Sequence, residues 1–480
     1  MEVPLVLEPN LVAVAHEQVD YPLAPPFDGP NPVYDAVARL LADLGLDSGR
    51  AGTPDWNPLG PFVGPGQHVV IKPNFVSSRN FHQRYGRDDF LCCCTHPSVI
   101  RPVIDLAWRA LAGRGTISIA EASLEGGDLG TTLAALGVLE MVDTLRRRDG
   151  INLELIDLRD FQIVPHMVID NHPVAGRSLN FGVLKRETLP GDPRGYTTVN
   201  LAHASSFSDL EGHCDRLRFH HSNPGWPSLH HRGERHEYSL PNTLLAAHLV
   251  VSLPKMKTHK KTGVTLSLKN MIGVTNEKYW LPHFRAGAPP AGDEYPVRPP
   301  LGARLATFLS RMRLPGGHAL VLRLPPVGRR EEPYIYDGSW SGNDTLWRTI
   351  LDLNRIVLYA DKGGFMRDAP QRRMLSIIDG IVAGEGNGPL APSPKRCGLL
   401  VAGLDSWACD YVTTRIMGIE PGRIGFLSGA ARSEPYPVTR LAPDMLRIVP
   451  LELARLHFDF SLPRGWLCAR AAGPVPSLAQ

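Results

Sequence analysis

The sequence contains no run of 18 apolar residues, so it offers no α-helical membrane span. It has no internal repeat and no low-complexity tract, which sets aside solenoids and disordered chains. Its net charge is only +3, too mild by itself to point to nucleic acid. An aromatic-basic stripe is also missing, so a polyanion-binding protein is the weaker alternative. The seven cysteines are an odd number and include no Cys-x-x-Cys pair. Three of them, Cys92, Cys93 and Cys94, are consecutive, which suits no ordinary disulfide framework and no iron-sulfur motif. A redox role for that triplet is a further alternative. No G-x-S-x-G nucleophile signature occurs. Met1 to Asn10 carries no basic-then-apolar leader pattern, so the expected location is cytoplasmic.

What is present is an ordinary globular composition, 43% hydrophobic and 21% charged over 480 residues. The expected fold class is α/β: a mostly parallel sheet with flanking helices, an inserted β-rich lobe and a Pro-rich peripheral excursion. Residues 1–32 are Pro-rich and expected to wrap the surface. In 33–165, apolar strands such as 68–74, 116–120 and 153–157 alternate with helices over 33–44, 97–111 and 129–148. Residues 166–240, rich in His, Asn, Gly and Pro, read as the β-rich lobe. Residues 241–283 return to α/β, 284–345 form a Pro/Arg-rich excursion or lid, 346–463 complete the α/β fold, and 464–480 read as a loose tail.

Arginine outnumbers lysine, and lysine is concentrated at 255–278. The apolar run Leu249–Leu253 leads into Lys255, Lys257 and His259, and then into a Thr-Gly signal that predicts a short helix. Ammonium groups around a helix N-terminus favour an anion, because dipole and charge act together. Lys255 and Lys257 alternate onto one side if the chain stays extended. Thr265 and Lys269, four apart, are expected on one helix face beside Asn270. A lysine among Leu266, Leu268, Met271 and Ile272 needs a partner or a function.

Several expected strands deliver a polar residue just past their last apolar position: Lys72 and Asn74, Glu121 and Ser123, the lysine motif, and Asp379 with Glu385. Ligands of open α/β sheets bind beyond the carboxyl ends of the strands. The bland alternative is that every strand exit is polar because loops are. Taken together, these residues predict one cleft. Lys72, Glu121, Lys269 and Asp379 are the catalytic candidates, since a desolvated lysine titrates nearer neutrality. Asn74, Lys255, Lys257, His259, Thr265, Asn270 and His283 are the candidate substrate contacts. The glycine-rich loop 379–389 offers Asp379 and Glu385 to a divalent cation. His283 with Asp293 and Glu294 are placed to close over the site. Histidines crowd 213–236 without helical metal-ligand spacing.

The strings Val70-Ile71-Lys72-Pro73-Asn74, Leu253-Pro254-Lys255-Met256-Lys257-Thr258-His259 and Leu268-Lys269-Asn270-Met271-Ile272-Gly273 resemble an uncharacterised family, domain of unknown function 362. Thr95-His96-Pro97, Asp352-Leu353-Asn354-Arg355-Ile356 and Ile378-Asp379-Gly380 extend the resemblance over about residues 60–430. The resemblance implies no catalytic assignment. Its motif positions, Arg355 among them as a substrate contact, stand as candidates. Some relatives carry a ferredoxin-like cysteine motif or a twin-arginine signal, and this sequence has neither. The leading expectation is an enzyme acting on a small molecule that bears a phosphate or carboxylate, its reaction class open.

Overall fold

The computed structural model describes residues 8–17, 19–77, 80–81, 84, 86–124, 127–174, 177–210, 212–219, 226–297, 335, 337–431 and 434–471. Ten strands form the main sheet: β1 (Leu11–His16), β2 (His68–Pro73), β3 (Thr116–Glu121), β4 (Leu153–Asp157), β5 (Leu249–Leu253), β6 (Lys255–His259), β7 (Gly263–Thr265), β8 (Arg373–Asn387), β9 (Ala391–Gly403) and β10 (Arg447–Val449). Their order is β10-β1-β9-β8-β5-β2-β3-β4, and β6 pairs with β7 and β8. The block β8-β5-β2-β3-β4 is parallel throughout. The β1–β9, β8–β9 and β6–β7 pairs are antiparallel.

Both faces of this sheet are covered, which is why its strands are apolar at successive positions rather than at alternate ones. In β2, Val69 and Ile71 pack on one side with α1 (Pro32–Asp43), α2 (Pro97–Ala110) and α4 (Val138–Arg148), and α3 (Leu129–Ala135) adds Leu129 and Leu133. Val70 packs on the other side with Val250 and with Leu353 and Ile356 of α6 (Leu346–Tyr359). On that side α7 (Ser406–Ile416) adds Trp407 and Val412, against Ile378 and Val401. The α/β class and the mostly parallel sheet are therefore as expected.

Several local expectations are corrected. The helix expected over 129–148 is two helices, because Gly137 at φ 73° stops the first. Residues 8–32 do more than wrap the surface: Leu11–His16 form β1, whose Val12 to Val14 are buried between β9 and β10. The glycine-rich stretch after Asp379 is not a loop, since β8 runs through it to Asn387 with one irregularity between Gly380 and Val382. The tail is anchored as far as Arg470: Trp466 is buried, and its indole donates to the Lys260 carbonyl at 2.6 Å. Residues 472–480 lie outside the described residues.

Residues 161–240 contain a long hairpin, Phe161–Val174 with Arg177–Thr188, and a small sheet of Tyr196–Asn200, Arg235–Pro241 and His231–Arg232, all apart from the main sheet. The excursion after 284 begins with Phe284–Arg285 paired to Leu217–Arg218. Residues 298–334 of it lie outside the described residues.

Candidate functional site

The lysine motif is a hairpin rather than a loop leading into a helix. Lys257 faces Thr265 across β6 and β7, and the turn between the strands contains Gly263 at φ 78°. A Cβ there would meet the Trp466 ring at 2.9 Å, so glycine is needed for both conformation and space. The helix is only α5 (Ser267–Asn270), one turn long. Thr265 is thus on a strand and does not share a helix face with Lys269. The extended backbone of β6 brings Lys257 and His259 to one side, as period-two alternation requires.

Beyond the carboxyl ends of β2 and β3, Lys72 donates to Glu121 at 2.9 Å, to the Pro73 carbonyl at 2.6 Å and to Asn270 at 3.4 Å. Glu121 also accepts from the Phe75 amide at 2.8 Å. Gly273 closes over this pair. Its carbonyl accepts from the Ala122 amide at 2.8 Å, and a Cβ on it would strike Glu121 and come within 2.8 Å of the Lys72 amine. Asn270 bridges the region, donating to the Lys72 carbonyl at 2.8 Å and to Ser252 at 3.2 Å. Burial pulls the Lys72 pKa down, against the pull of Glu121.

Lys257 is fully buried and donates to two neutral oxygens, the Cys93 carbonyl at 2.6 Å and Asn74 Oδ1 at 3.1 Å. Burial lowers its pKa. Opposite it, the buried Thr265 hydroxyl has no partner among the described residues. His259 accepts the Lys261 amide on Nδ1 at 3.1 Å. Its pKa is held well below the usual histidine range, first by burial, then by the charges of Lys269, Lys257 and Lys261. His283 lies against the Leu281 carbonyl at 3.0 Å and is pushed down likewise, by burial and then by Lys261. Both imidazoles are therefore neutral at neutral pH.

Lys269 stands among these groups. Its amine makes no hydrogen bond or ion pair among the described residues, while its side chain is only half-buried. Burial, aided by the charges of Lys257, Lys278 and Lys72 and opposed by Glu121, pushes its pKa down to about 7. Lys278 was not anticipated as a site residue. It is buried, donates to the Ile272 carbonyl at 3.0 Å, and its only sequence signal was its place in the lysine-dense segment. Asn74, Lys269 and His283, all half-buried, are where the cluster meets solvent.

Other expected residues are placed elsewhere. Lys255 and Asp379 are both fully buried and pair with each other at 2.7 Å. Tyr21 donates to Asp379 at 2.5 Å and the His96 amide at 2.9 Å, so this carboxylate is saturated by protein groups. Asp379 is thus not a cleft carboxylate. Glu385 accepts from Lys395 at 3.1 Å and from the Ser461 amide at 2.9 Å. Asp379 and Glu385 are thus each taken up by a separate set of protein groups rather than turned toward one shared cation. Among the described residues no group of three or more His, Cys, Asp or Glu could hold a metal ion. Arg355 pairs with Asp352 at 3.0 Å and donates to the Ala204 carbonyl and Ser206, fastening the inserted lobe to α6. Asp293 accepts from the Arg285 and Asp344 amides and from Thr345, and Glu294 from the Gly287 amide, so both hold the base of the excursion. His231 and His236 pack around Phe207, and His230 stacks on Trp280. His220 and His221 lie outside the described residues. Cys92, Cys93 and Cys94 are wholly buried, and burial pushes the Cys94 thiol up to about 12.

Compared with known proteins, a thylakoid-associated protein of Synechocystis sp. is 45% identical over 99 residues, 19% of this chain and 30% of that protein. The chain thus spans under a third of that relative. A structural-genomics crystal structure from Thermotoga maritima covers 79% of this chain and 58% of its own, at 10% identity and a TM-score of 0.30, too weak a likeness to carry an argument. Residues 204–415, which contain Lys255, Lys257, His259, Lys269 and Asn270, match the model of the family described as Domain of unknown function (DUF362), and over that span the chain resembles that family as its lysine motif indicates.

Proposed function

We propose that this protein is an enzyme that binds a small molecule through a phosphate or carboxylate, at the cluster where β2, β3 and the β6–β7 hairpin end. One observation carries the reading: an uncompensated lysine. Lys72 and Glu121 neutralise each other. Lys257 is held by neutral oxygens alone in its hydrogen bonds, and the Lys269 amine makes no hydrogen bond or ion pair among the described residues. Like charges gathered at a half-buried site are costly unless a ligand supplies the opposite sign. Lys257, Lys269 and the unpartnered Thr265 hydroxyl would hold the anion. Asn74, Asn270, His259 and His283 would orient the rest of the molecule, and Lys72 with Glu121 would move a proton.

The test is thermal unfolding in inorganic phosphate against chloride of equal ionic strength. Phosphate should raise the Tm of the wild type by about 2–3 degrees, since saturation to about 100 times Kd contributes about 2.7 kcal/mol against an unfolding entropy of about 1 kcal/mol/K at this chain length. The Lys269→Met protein, which removes the charge without a large loss of volume, should respond to the two salts alike. Equal responses from the wild type would sink the reading.

A further inference from the structure

We propose that Lys269 is a nucleophile, and that the substrate is an aldehyde or ketone carrying the anionic group, whose carbonyl carbon condenses with the Lys269 amine. The inference rests on the anion-binding reading above and adds a substrate class and a covalent step to it.

The geometry separates Lys269 from the lysines around it. Lys255 is paired with Asp379, Lys72 with Glu121 and Lys261 with Asp337, while Lys257 is held by Cys93 and Asn74. Lys269 alone among them has no partner among the described residues. Its backbone, by contrast, is fixed from three directions. Asp410 of α7 accepts from the Ser267 and Leu268 amides at 2.7 and 2.8 Å, Asn354 of α6 donates to the Leu268 carbonyl at 2.9 Å, and the Asn270 side chain is tied to the end of β2. A firmly seated Cα with a free amine presents a reacting group with little to reorganise. Partial desolvation and the nearby ammonium groups leave a substantial share of that amine unprotonated near pH 7, so a lone pair is available while the remaining molecules stay charged.

The step balances. The nitrogen lone pair forms a C–N bond as the carbonyl π pair moves to oxygen, which takes a proton, and the nitrogen loses one, giving a carbinolamine. A second proton on that oxygen lets the C–O bond break and water leave, and the nitrogen lone pair completes a protonated imine. The proton that nitrogen loses can pass to the oxygen, and the one further proton comes from a neighbouring ammonium, Lys257 or Lys278, to be returned when the iminium is hydrolysed. Neither oxidant nor reductant is consumed. The iminium is an electron sink for the adjacent carbon, and the Glu121 carboxylate is the nearby group that could take a proton from it.

Pyridoxal 5′-phosphate, an aldehyde joined to a phosphate, serves as the probe. The full-length protein is incubated with it at pH 7.5, reduced with sodium borohydride and mapped by peptide mass. The exposed Lys362 is the internal reference. The expected result is reduced adduct on Lys269 forming at least about tenfold faster than on Lys362, because an amine titrating near 7 is mostly unprotonated there. Inorganic phosphate should suppress it. Its rate should climb as pH passes through about 7 and level off above. Adduct confined to exposed lysines, with phosphate still raising Tm, would overturn the nucleophile and leave the anion site standing. Lack of a phosphate effect on both Tm and labelling would overturn both.

Discussion

Lys255 and Lys269 carry the same side chain in one short segment, yet their neighbours give them opposite parts. Lys255 is sealed against Asp379, Tyr21 and the Val382 carbonyl. Removing one member of a buried pair strands the other, so Asp379→Ala should cost roughly 3–5 kcal/mol in urea unfolding, while the double change Lys255→Met with Asp379→Leu should cost clearly less. A single change under about 1 kcal/mol would show that the pair is not desolvated. The gathering of Lys72, Lys257 and Lys269 was legible in the sequence because each follows an apolar strand or interrupts an apolar segment. The pairing of Lys255 with Asp379 was not, since it depends on the register of β6 on β8 and on a tyrosine from far up the chain. Lys278 escaped notice for a similar reason: only the local fold turns it toward the other amines.

The element that positions Lys269 is a single helical turn with no stability of its own. Asp410 caps it across the fold by taking the Ser267 and Leu268 amides. Burial pushes the Asp410 carboxyl up to about 8 in spite of those two bonds. Because the folded value lies above the unfolded one, this group's stabilising contribution is full below about pH 4 and is lost as pH rises toward 8. The stability of the wild type relative to Asp410→Asn should therefore fall between pH 5 and 8, by on the order of 1 kcal/mol per pH unit. A difference that does not change with pH, measured by urea unfolding, would mean that Asp410 is ionised throughout. Sequence patterning found the apolar character of residues 266–272. It extended the helix backward over Gly263–Thr265 because Thr262-Gly263 read as a helix start, and here the pairing of β7 with β6 outweighs that local signal.

For the molecule as a whole, the parallel block β8-β5-β2-β3-β4 sets the cluster beyond the carboxyl ends of β2 and β3, the place where open α/β sheets bind ligands. The alternation of strands and helices made this much readable. The other half of the sheet was not readable, because it is closed by strands from opposite ends of the chain. β1 lies between β9 and β10, so its partners are nearly four hundred residues downstream. During synthesis at about 5–20 residues per second, Leu11–His16 must wait roughly 20–80 s for a neighbour. Ribosome-arrested chains ending before residue 391 should accordingly be cut by protease within 8–20, while chains long enough to free β9 and β10 from the exit tunnel should resist. That interval leaves an apolar strand with unmet hydrogen bonds, a natural client for a chaperone at the ribosome. It also delays the seating of Tyr21 on Asp379, so the floor beside the lysine cluster is among the last parts of the newborn protein to set.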